Sequence, residues 1–450
     1  MNEIEKQVLK NITPTEEYRQ KLQKVIEKLK KELKLEIKKR KLPIEIELVG
    51  SIAKDTYLQN NMDVDLFLKF PITYSKETIA ENALSIGKSL LTDTEESYAE
   101  HPYLRGYFKK YYIEIVPCYK IENAKQKLSA VDRTPLHTKF VKENLKEEQK
   151  KEVRLFKQFL KGIGCYGAEA QIEGFSGYLC EILIIKYQTF EKLLKKAKIW
   201  KYGKKITLKK ENYPNFDTPL VFIDPVDSNR NVASAISEEK FNLFVKACEE
   251  YLKKPKTTFY FPNKIDSLTI EKIKKEIQKE NAQYTSVKFK KPDIIDENLY
   301  PQIRKATKSI WNACKRNDFI VYDVAYTVTE KEIYIVIKSD KKPLSKTYKH
   351  MGPPTKVKEN SKDFIDKWKN HPDLIKGPYK KNGRYFVELR RKYLEIYSYL
   401  KDNVNNLSMG KHLDKIIVKK YEILDLNKLL INDLRIFWTK YIDNKMPWER

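Results

Sequence analysis

The chain has 450 residues, 41% of them hydrophobic, which suits roughly two to four domains with buried cores and excludes a disordered protein. Lys+Arg 89 against Asp+Glu 62 leaves a net charge of +27. That imbalance favours a polyanionic partner, nucleic acid first, over a thermophile surface, where the two signs nearly balance.

Cys118, Cys165, Cys180, Cys248 and Cys314 are scattered, with no CxxC, and the histidines show neither HExxH nor HxH. A disulfide scaffold and a structural zinc site are therefore not expected, and reduced thiols in a cytoplasmic protein are. The opening "MNEIEKQVLKNITPTEEY" is charged and lacks the apolar segment of a signal peptide. No apolar run approaches the roughly 18 residues of a membrane span.

In "NITPTEEYRQKLQKVIEKLKKELKLEIKKR", Thr13 is placed to cap a helix, Pro14 to begin it and Glu16 to complete a capping box. Tyr18, Leu22, Val25, Ile26, Leu29 and Leu33 recur at helical spacing and mark its buried face. "IEIELV" (Ile44–Val49) alternates as a strand, and "DVDLFLKF" (Asp63–Phe70) is a second strand ended by Pro71. A helix capped by Ser75 follows, then a third strand, "YYIEIVPCY" (Tyr111–Tyr119). This order predicts a small mixed sheet with helices packed on it.

After Pro135 the pattern becomes mainly helical, with one short strand, Val221–Ile223, before a turn at Asp224-Pro225. The helical region ends near Thr257. From "TSVKFKKP" to "EIYIVIKS" the chain reads βαββ, followed by a helix, a strand and a terminal helix.

Asp63 and Asp65 interrupt an otherwise apolar strand. Residues two apart on a strand share a face, so the two carboxylates repel each other, and burial makes that worse. A cation must neutralise them: Lys or Arg in a structural cluster, or a divalent ion that takes several oxygen ligands. Gly50-Ser51 lies upstream, where a glycine turn lets backbone amides approach phosphate oxygens, and Lys54 follows with a positive charge. Glu114 adds a third acid on a separate strand, between Ile113 and Ile115. Three converging acids beside a phosphate-binding turn are what two-metal phosphoryl transfer requires.

Gly50-Ser51, a spacer from Ile52 to Met62, Asp63-Val64-Asp65 and the distant Glu114 resemble the motif of the DNA polymerase β-like nucleotidyltransferase superfamily. "HPYLRGYFKKYYIEIVPCYKI", "SAVDRTPLHTKFV", "EVRLFKQFLKGIGCYGAE", "GFSGYLCEILI", "DPVDSNRNVA", "VKFKKPDIIDENLYPQI" and "MGPP" resemble, in order, the archaeal class I CCA-adding enzymes. The resemblance runs from about residue 45 to 355. It implies an α+β protein with a small mixed-sheet nucleotidyltransferase head (1–136), a helical neck (137–257) and an α+β RNA-binding body and tail (258–450).

The implied activity is template-independent addition of the 3′-terminal CCA to tRNA from CTP and ATP, with two Mg²⁺ ions and release of pyrophosphate. The acceptor stem and T arm would lie along a basic flank, for which Lys192–Lys210 and Lys338–His350 are candidates. The resemblance assigns the metal-holding and catalytic roles to Asp63, Asp65 and Glu114. It assigns nucleotide binding to Gly50, Ser51, Lys54, His137, Lys157, Tyr166 and Arg230, with Arg230 reading the base. Glu114 stands where relatives often carry Asp, and Lys54 where Arg is common. No membrane partner is expected, and a homodimer is left open. Taken alone, Lys157 reads as a solvated helix lysine, Tyr166 as core packing and Arg230 as an ion-pair partner of Asp224 or Asp227. The rival activities are a poly(A) polymerase and a non-catalytic RNA-binding protein on a transferase scaffold.

Overall fold

The computed structural model of the protein describes residues 1–59, 63–98, 100–209 and 212–450. Met62 of the spacer and Lys210 of the first basic stretch lie outside the described residues. The chain divides into two units, Met1–Lys264 with Lys445–Arg450, and Ile265–Asn444.

In the first unit, α1 (Glu3–Ile12) starts at a capping box of Asn2 and Glu5. α2 (Glu16–Lys39) is capped by Thr15, whose hydroxyl accepts from the Tyr18 N–H at 3.2 Å. The expected cap, Thr13, instead closes α1, donating its N–H to the Leu9 carbonyl at 2.9 Å. A helix that the periodicity did not announce thus moves the cap two residues on. α2 buries Leu22, Val25, Ile26, Leu29, Leu33 and Ile37.

β1 (Glu45–Leu48), the single turn α3 (Gly50–Ala53), β2 (Val64–Phe70), α4 (Lys76–Lys88), β3 (Thr92–Tyr98), β4 (Pro102–Phe108) and β5 (Tyr111–Tyr119) follow. They form a five-stranded sheet of order β1-β2-β5-β4-β3, in which β2 and β5 pair in parallel and the other neighbours are antiparallel. Val64, Leu66 and Leu68 of β2 and Ile113 and Ile115 of β5 share a core with α2 and with Ile79, Ala83 and Ile86 of α4. The alternate positions, Asp65 and Glu114 among them, therefore face the other way. The β3–β4 hairpin was not legible in the pattern, because β3 is solvated along nearly its whole length.

A second core in this unit gathers α1, α5 (Arg133–Asn144), α6 (Gln149–Gly162), α7 (Gly177–Tyr187), α8 (Phe190–Ala197), β6 (Lys204–Ile206), β7 (Leu220–Phe222) and α9 (Glu238–Lys253). β7, one residue from the expected strand, pairs in parallel with β6. Trp448 stacks on Phe259 at 5.0 Å between ring centroids, so the last residues return to the first unit.

The second unit runs α10 (Ile270–Gln278), β8 (Ala282–Lys290), α11 (Asp296–Arg316), β9 (Val321–Val328), β10 (Glu332–Asp340), β11 (Thr347–Pro354), α12 (Lys358–Trp368), β12 (Leu374–Lys381) and β13 (Arg384–Arg390). α13 (Ile396–Asn403), α14 (Lys411–Ile417), β14 (Glu422–Asp425), α15 (Leu426–Leu429) and α16 (Arg435–Asp443) complete it. Its sheets have the orders β14-β8-β10-β9 and β11-β13-β12. The expected βαββ run is β8-α11-β9-β10. The whole is α+β. All five cysteines are buried and unpaired as thiols. Among the described residues no helix is long and apolar enough to cross a membrane.

Leu29 is fully buried between α2 and the five-stranded sheet. Leu29→Ala is expected to destabilise the first unit by about 2–5 kcal/mol, read as a lower denaturant midpoint by circular dichroism. An unchanged midpoint would mean that this contact does not hold the helix on the sheet.

Candidate active site

The parallel pairing of β2 with β5 sets Asp65 directly opposite Glu114. Arg105, opposite Glu114 on β4, donates its Nε–H to Glu114 Oε1 at 2.8 Å. Asp63 is exposed and immediately precedes β2, which starts one residue later than expected from the sequence. Burial pushes the Asp65 carboxyl up, and the negative charges of Glu114 and Asp63 push it further, against Lys54 and Arg105, to about 7. Burial also raises Glu114, with Arg105 opposing and Asp63 adding. The three acids therefore share one electrostatic neighbourhood on the face of the sheet away from α2 and α4.

Gly50, the first residue of α3, has φ +70, and a Cβ there would lie 1.8 Å from Asp65 Oδ2. Backbone conformation and space both favour glycine there. Ser51 follows in α3, and its carbonyl accepts from the Thr56 N–H at 2.9 Å.

Lys54 and Lys157 meet on one carboxylate. Lys54 Nζ donates to Glu181 Oε2 at 2.5 Å, and Lys157 Nζ to Glu181 Oε1 at 3.2 Å. Thr56 Oγ1 also donates to Glu181 Oε1, at 2.5 Å. Glu181, on α7, is 0% exposed. Burial raises its carboxyl, but the two ammonium groups outweigh burial and hold it below the usual range. Burial lowers Lys157 against the pull of Glu181.

A second buried acid organises His137, Tyr178 and Arg230. Asp224 Oδ2 lies 2.8 Å from His137 Nε2 and accepts from Arg230 Nη1 at 2.9 Å. Asp224 Oδ1 accepts from the Tyr178 hydroxyl at 3.2 Å and from the Val226 N–H at 3.1 Å. The His137 ring stacks on Tyr178, with centroids 4.0 Å apart. Burial opposes ionisation of Asp224, but His137, Arg230 and the Val226 amide prevail and hold it down to about 2. Arg230 keeps 32% of its side chain exposed, so it can still reach a ligand.

Tyr166 packs against the helical core, with Lys161 Nζ over its ring at 5.4 Å. Its hydroxyl would lie 3.2 Å from a Cβ on Gly177, and Lys157 Nζ 3.7 Å from the same point. Asp63 influences the ionisation of both Tyr166 and Lys161, and Lys54 that of His137. The sequence-predicted residues of the first unit thus influence one another electrostatically, Lys54 acting on both Asp65 and His137.

Three carboxylates are hard oxygen donors, and crowding that holds Asp65 partly protonated fits a divalent cation. The side chains do not already converge on one point: among the described residues no three Asp, Glu, His or Cys side chains stand close enough to hold an ion.

Three family profiles match along the chain: "Nucleotidyltransferase domain" over residues 14–137, "tRNA nucleotidyltransferase, second domain" over 151–261, and "CCA-adding enzyme, C-terminal domain" over 281–425. The chain is 35% identical over 447 residues to the CCA-adding enzyme of Methanosarcina barkeri, covering 98% of each. The chain belongs to the CCA-adding enzyme family. Other relatives include the CCA-adding enzyme of Archaeoglobus fulgidus, 35% identical over 95% of this chain and 96% of that one. That of Thermoplasma volcanium is 36% identical over 92% and 93%.

For this member of the family, sequence reasoning passed over Arg105, Tyr178 and Glu181 as site residues, and treated Asp224 only as a partner for Arg230. Glu181 had a signal. It is a lone acid in the apolar run "GYLCEILII", the same anomaly that singled out Asp63 and Asp65. Arg105 and Tyr178 had none, because their roles depend on strand order and on ring stacking.

Asp65 titrates above the ordinary carboxylate value of 3.8. The folded state therefore keeps a proton that the unfolded state releases, and stability falls as pH rises from about 4 to about 7. In EDTA, Asp65→Asn is expected to raise the melting temperature above pH 7 and to leave it nearly unchanged near pH 4. An equal effect at both pH values would eliminate the carboxylate's charge as the cause.

Proposed function

We propose that this chain adds the 3′-terminal CCA to tRNA, taking C from CTP and A from ATP without a nucleic-acid template. The observation that carries the reading is Asp65 facing Glu114 across parallel strands, beside Gly50 at φ +70, where a Cβ would meet the Asp65 carboxylate. Family membership supports the tRNA substrate, and the net charge of +27 suits a polyanion. The sheet core of the first unit supports a separate head within 1–136 and its helical core a neck within 137–257, although α1 packs with the helical core and that core extends to Tyr260 and takes in Trp448. Most of 258–450 is then the RNA-binding body and tail.

In this reading the tRNA 3′-hydroxyl attacks the α-phosphorus of the bound nucleotide. A new P–O bond forms, the bond bridging the α- and β-phosphates breaks, and pyrophosphate leaves. Asp63, Asp65 and Glu114 would hold two Mg²⁺ ions, which supply charge neutralisation for the attacking and leaving oxygens when bound. Gly50 lets backbone come close, Ser51 offers a hydroxyl, and Lys54 and Lys157 bring positive charge to the triphosphate. Tyr166 closes the same region with a ring. His137 and Arg230, aligned by Asp224, offer hydrogen-bond donors to the base. The acceptor stem and T arm would lie along the basic surface.

Purified protein with Mg²⁺ and tRNA lacking CCA, ending in C, or ending in CC tests the reading, with CTP and ATP supplied separately. CTP should extend the first two RNAs and ATP the third. ATP tailing of all three would indicate a poly(A) polymerase instead.

Asp63→Ala or Asp65→Ala is expected to remove both C and A addition, by roughly a thousandfold or more, while tRNA binding survives. Retention of one activity near the wild-type rate would rule out a single shared site.

Arg230→Ala is expected to impair nucleotide choice more than tRNA affinity. Steady-state comparison of CTP, ATP, UTP and GTP on a tRNA ending in C reads this directly. Unchanged discrimination with weakened tRNA binding would make Arg230 a contact to RNA phosphate.

A further inference from the structure

The buried acid on α7 has a composition that a purely structural ion pair does not need. Glu181 is fully buried and carries one negative charge, yet two ammonium groups converge on it. Glu181 therefore neutralises only one of the two, and the other positive charge is left to act beyond the pair, where a structural pair would neutralise itself.

The two lysines are held differently. Lys157 Nζ has three acceptors for its three N–H groups: Glu181 Oε1 at 3.2 Å, Thr56 Oγ1 at 3.1 Å and the Thr56 carbonyl at 3.2 Å. Lys54 has one, Glu181 Oε2 at 2.5 Å, among the described residues. Two Lys54 donors thus have no acceptor among the described residues, on a side chain that keeps 8% of its surface exposed. Lys54 also stands where its charge reaches both Asp65 and His137.

We infer that Glu181 is a positioning residue for nucleotide binding: it fixes the Lys54 ammonium where an incoming triphosphate meets it, with Lys157 and Thr56 holding the carboxylate in place. The inference rests on the reading that Lys54 contacts the nucleotide. Lysine is a flexible point charge, and a short bond to a carboxylate that cannot move pre-orders it before the ligand arrives. The anchor joins Lys54 and Thr56, which follow α3, to α6 and α7 of the helical core.

The test uses the full-length protein. KM and kcat for ATP addition to tRNA ending in CC are measured alongside thermal melting. The variants are Lys54→Met, Glu181→Gln, Thr56→Val and the double variant Lys54→Met/Glu181→Gln. Lys54→Met is expected to raise KM for ATP roughly tenfold or more, and Glu181→Gln by about as much, with kcat changing less than KM. Because Glu181 acts through Lys54, the double variant should be no worse than Lys54→Met alone. Thr56→Val removes one hydrogen bond to Glu181 without changing charge, and should raise KM by about two- to tenfold. It carries the test if Glu181→Gln fails to fold.

Additive KM effects, or a Glu181→Gln or Thr56→Val protein with lowered melting temperature and wild-type KM, would overturn the inference and leave Glu181 a packing element. A wild-type KM in Lys54→Met would instead overturn the parent reading that Lys54 meets the nucleotide.

Discussion

One strand pairing governs the first unit. β2 and β5 run in parallel with Asp65 opposite Glu114, so the sheet brings two like charges together on one face. Unrelieved, that arrangement is unfavourable, because burial and mutual repulsion both oppose ionisation. The surroundings answer it. Arg105 enters from β4 on the far side of Glu114, and Gly50 leaves the Asp65 carboxylate room that any Cβ would take. The opposite face of the same strands is apolar and is sealed by α2 and α4. Strand alternation therefore separates one surface that secures the fold from another that carries charge.

Two further acids extend this logic from the sheet to the helical core. Glu181 draws together Lys54 and Lys157, and Asp224 draws together His137, Tyr178 and Arg230. Each acid is almost inaccessible to water, and each is kept ionised by the groups around it. A buried acid holding several partners fixes their directions more firmly than solvent-exposed pairs, which contribute little. The two clusters form from segments far apart in the chain, Lys54 with Glu181 and His137 with Asp224. Local charge is thereby set by folding of the whole unit rather than by any single motif.

The chain's excess of lysine works at a different level. Most exposed lysines that pair do so with acids three or four residues away on the same helix, such as Lys21 with Glu17 and Lys195 with Glu191. Such pairs add a few tenths of a kcal/mol each to a helix. They leave the sign of the surface positive, a property that acts on a polyanion over the whole molecule and depends on salt.

What the sequence determined by itself followed from period and composition. The alternation in "DVDLFLKF" and "YYIEIVPCY" marks β2 and β5, because a strand with one buried face must alternate. The acids stood out because carboxylates are rare in such runs. The helical period showed the buried face of α2, and the family resemblance supplied His137, Lys157, Tyr166 and Arg230, which no local pattern distinguishes. Tertiary structure decided the rest. β3 lacked a pattern because it is solvated, and α1 displaced an expected cap by using Thr13 for its own end. Arg105 gained its place from the register of β4 on β5, and Glu181, Tyr178 and Asp224 theirs only when distant segments came within hydrogen-bond distance. A one-dimensional pattern records which face a residue shows, whereas an ion pair between residues more than a hundred positions apart depends on where two independently ordered segments meet.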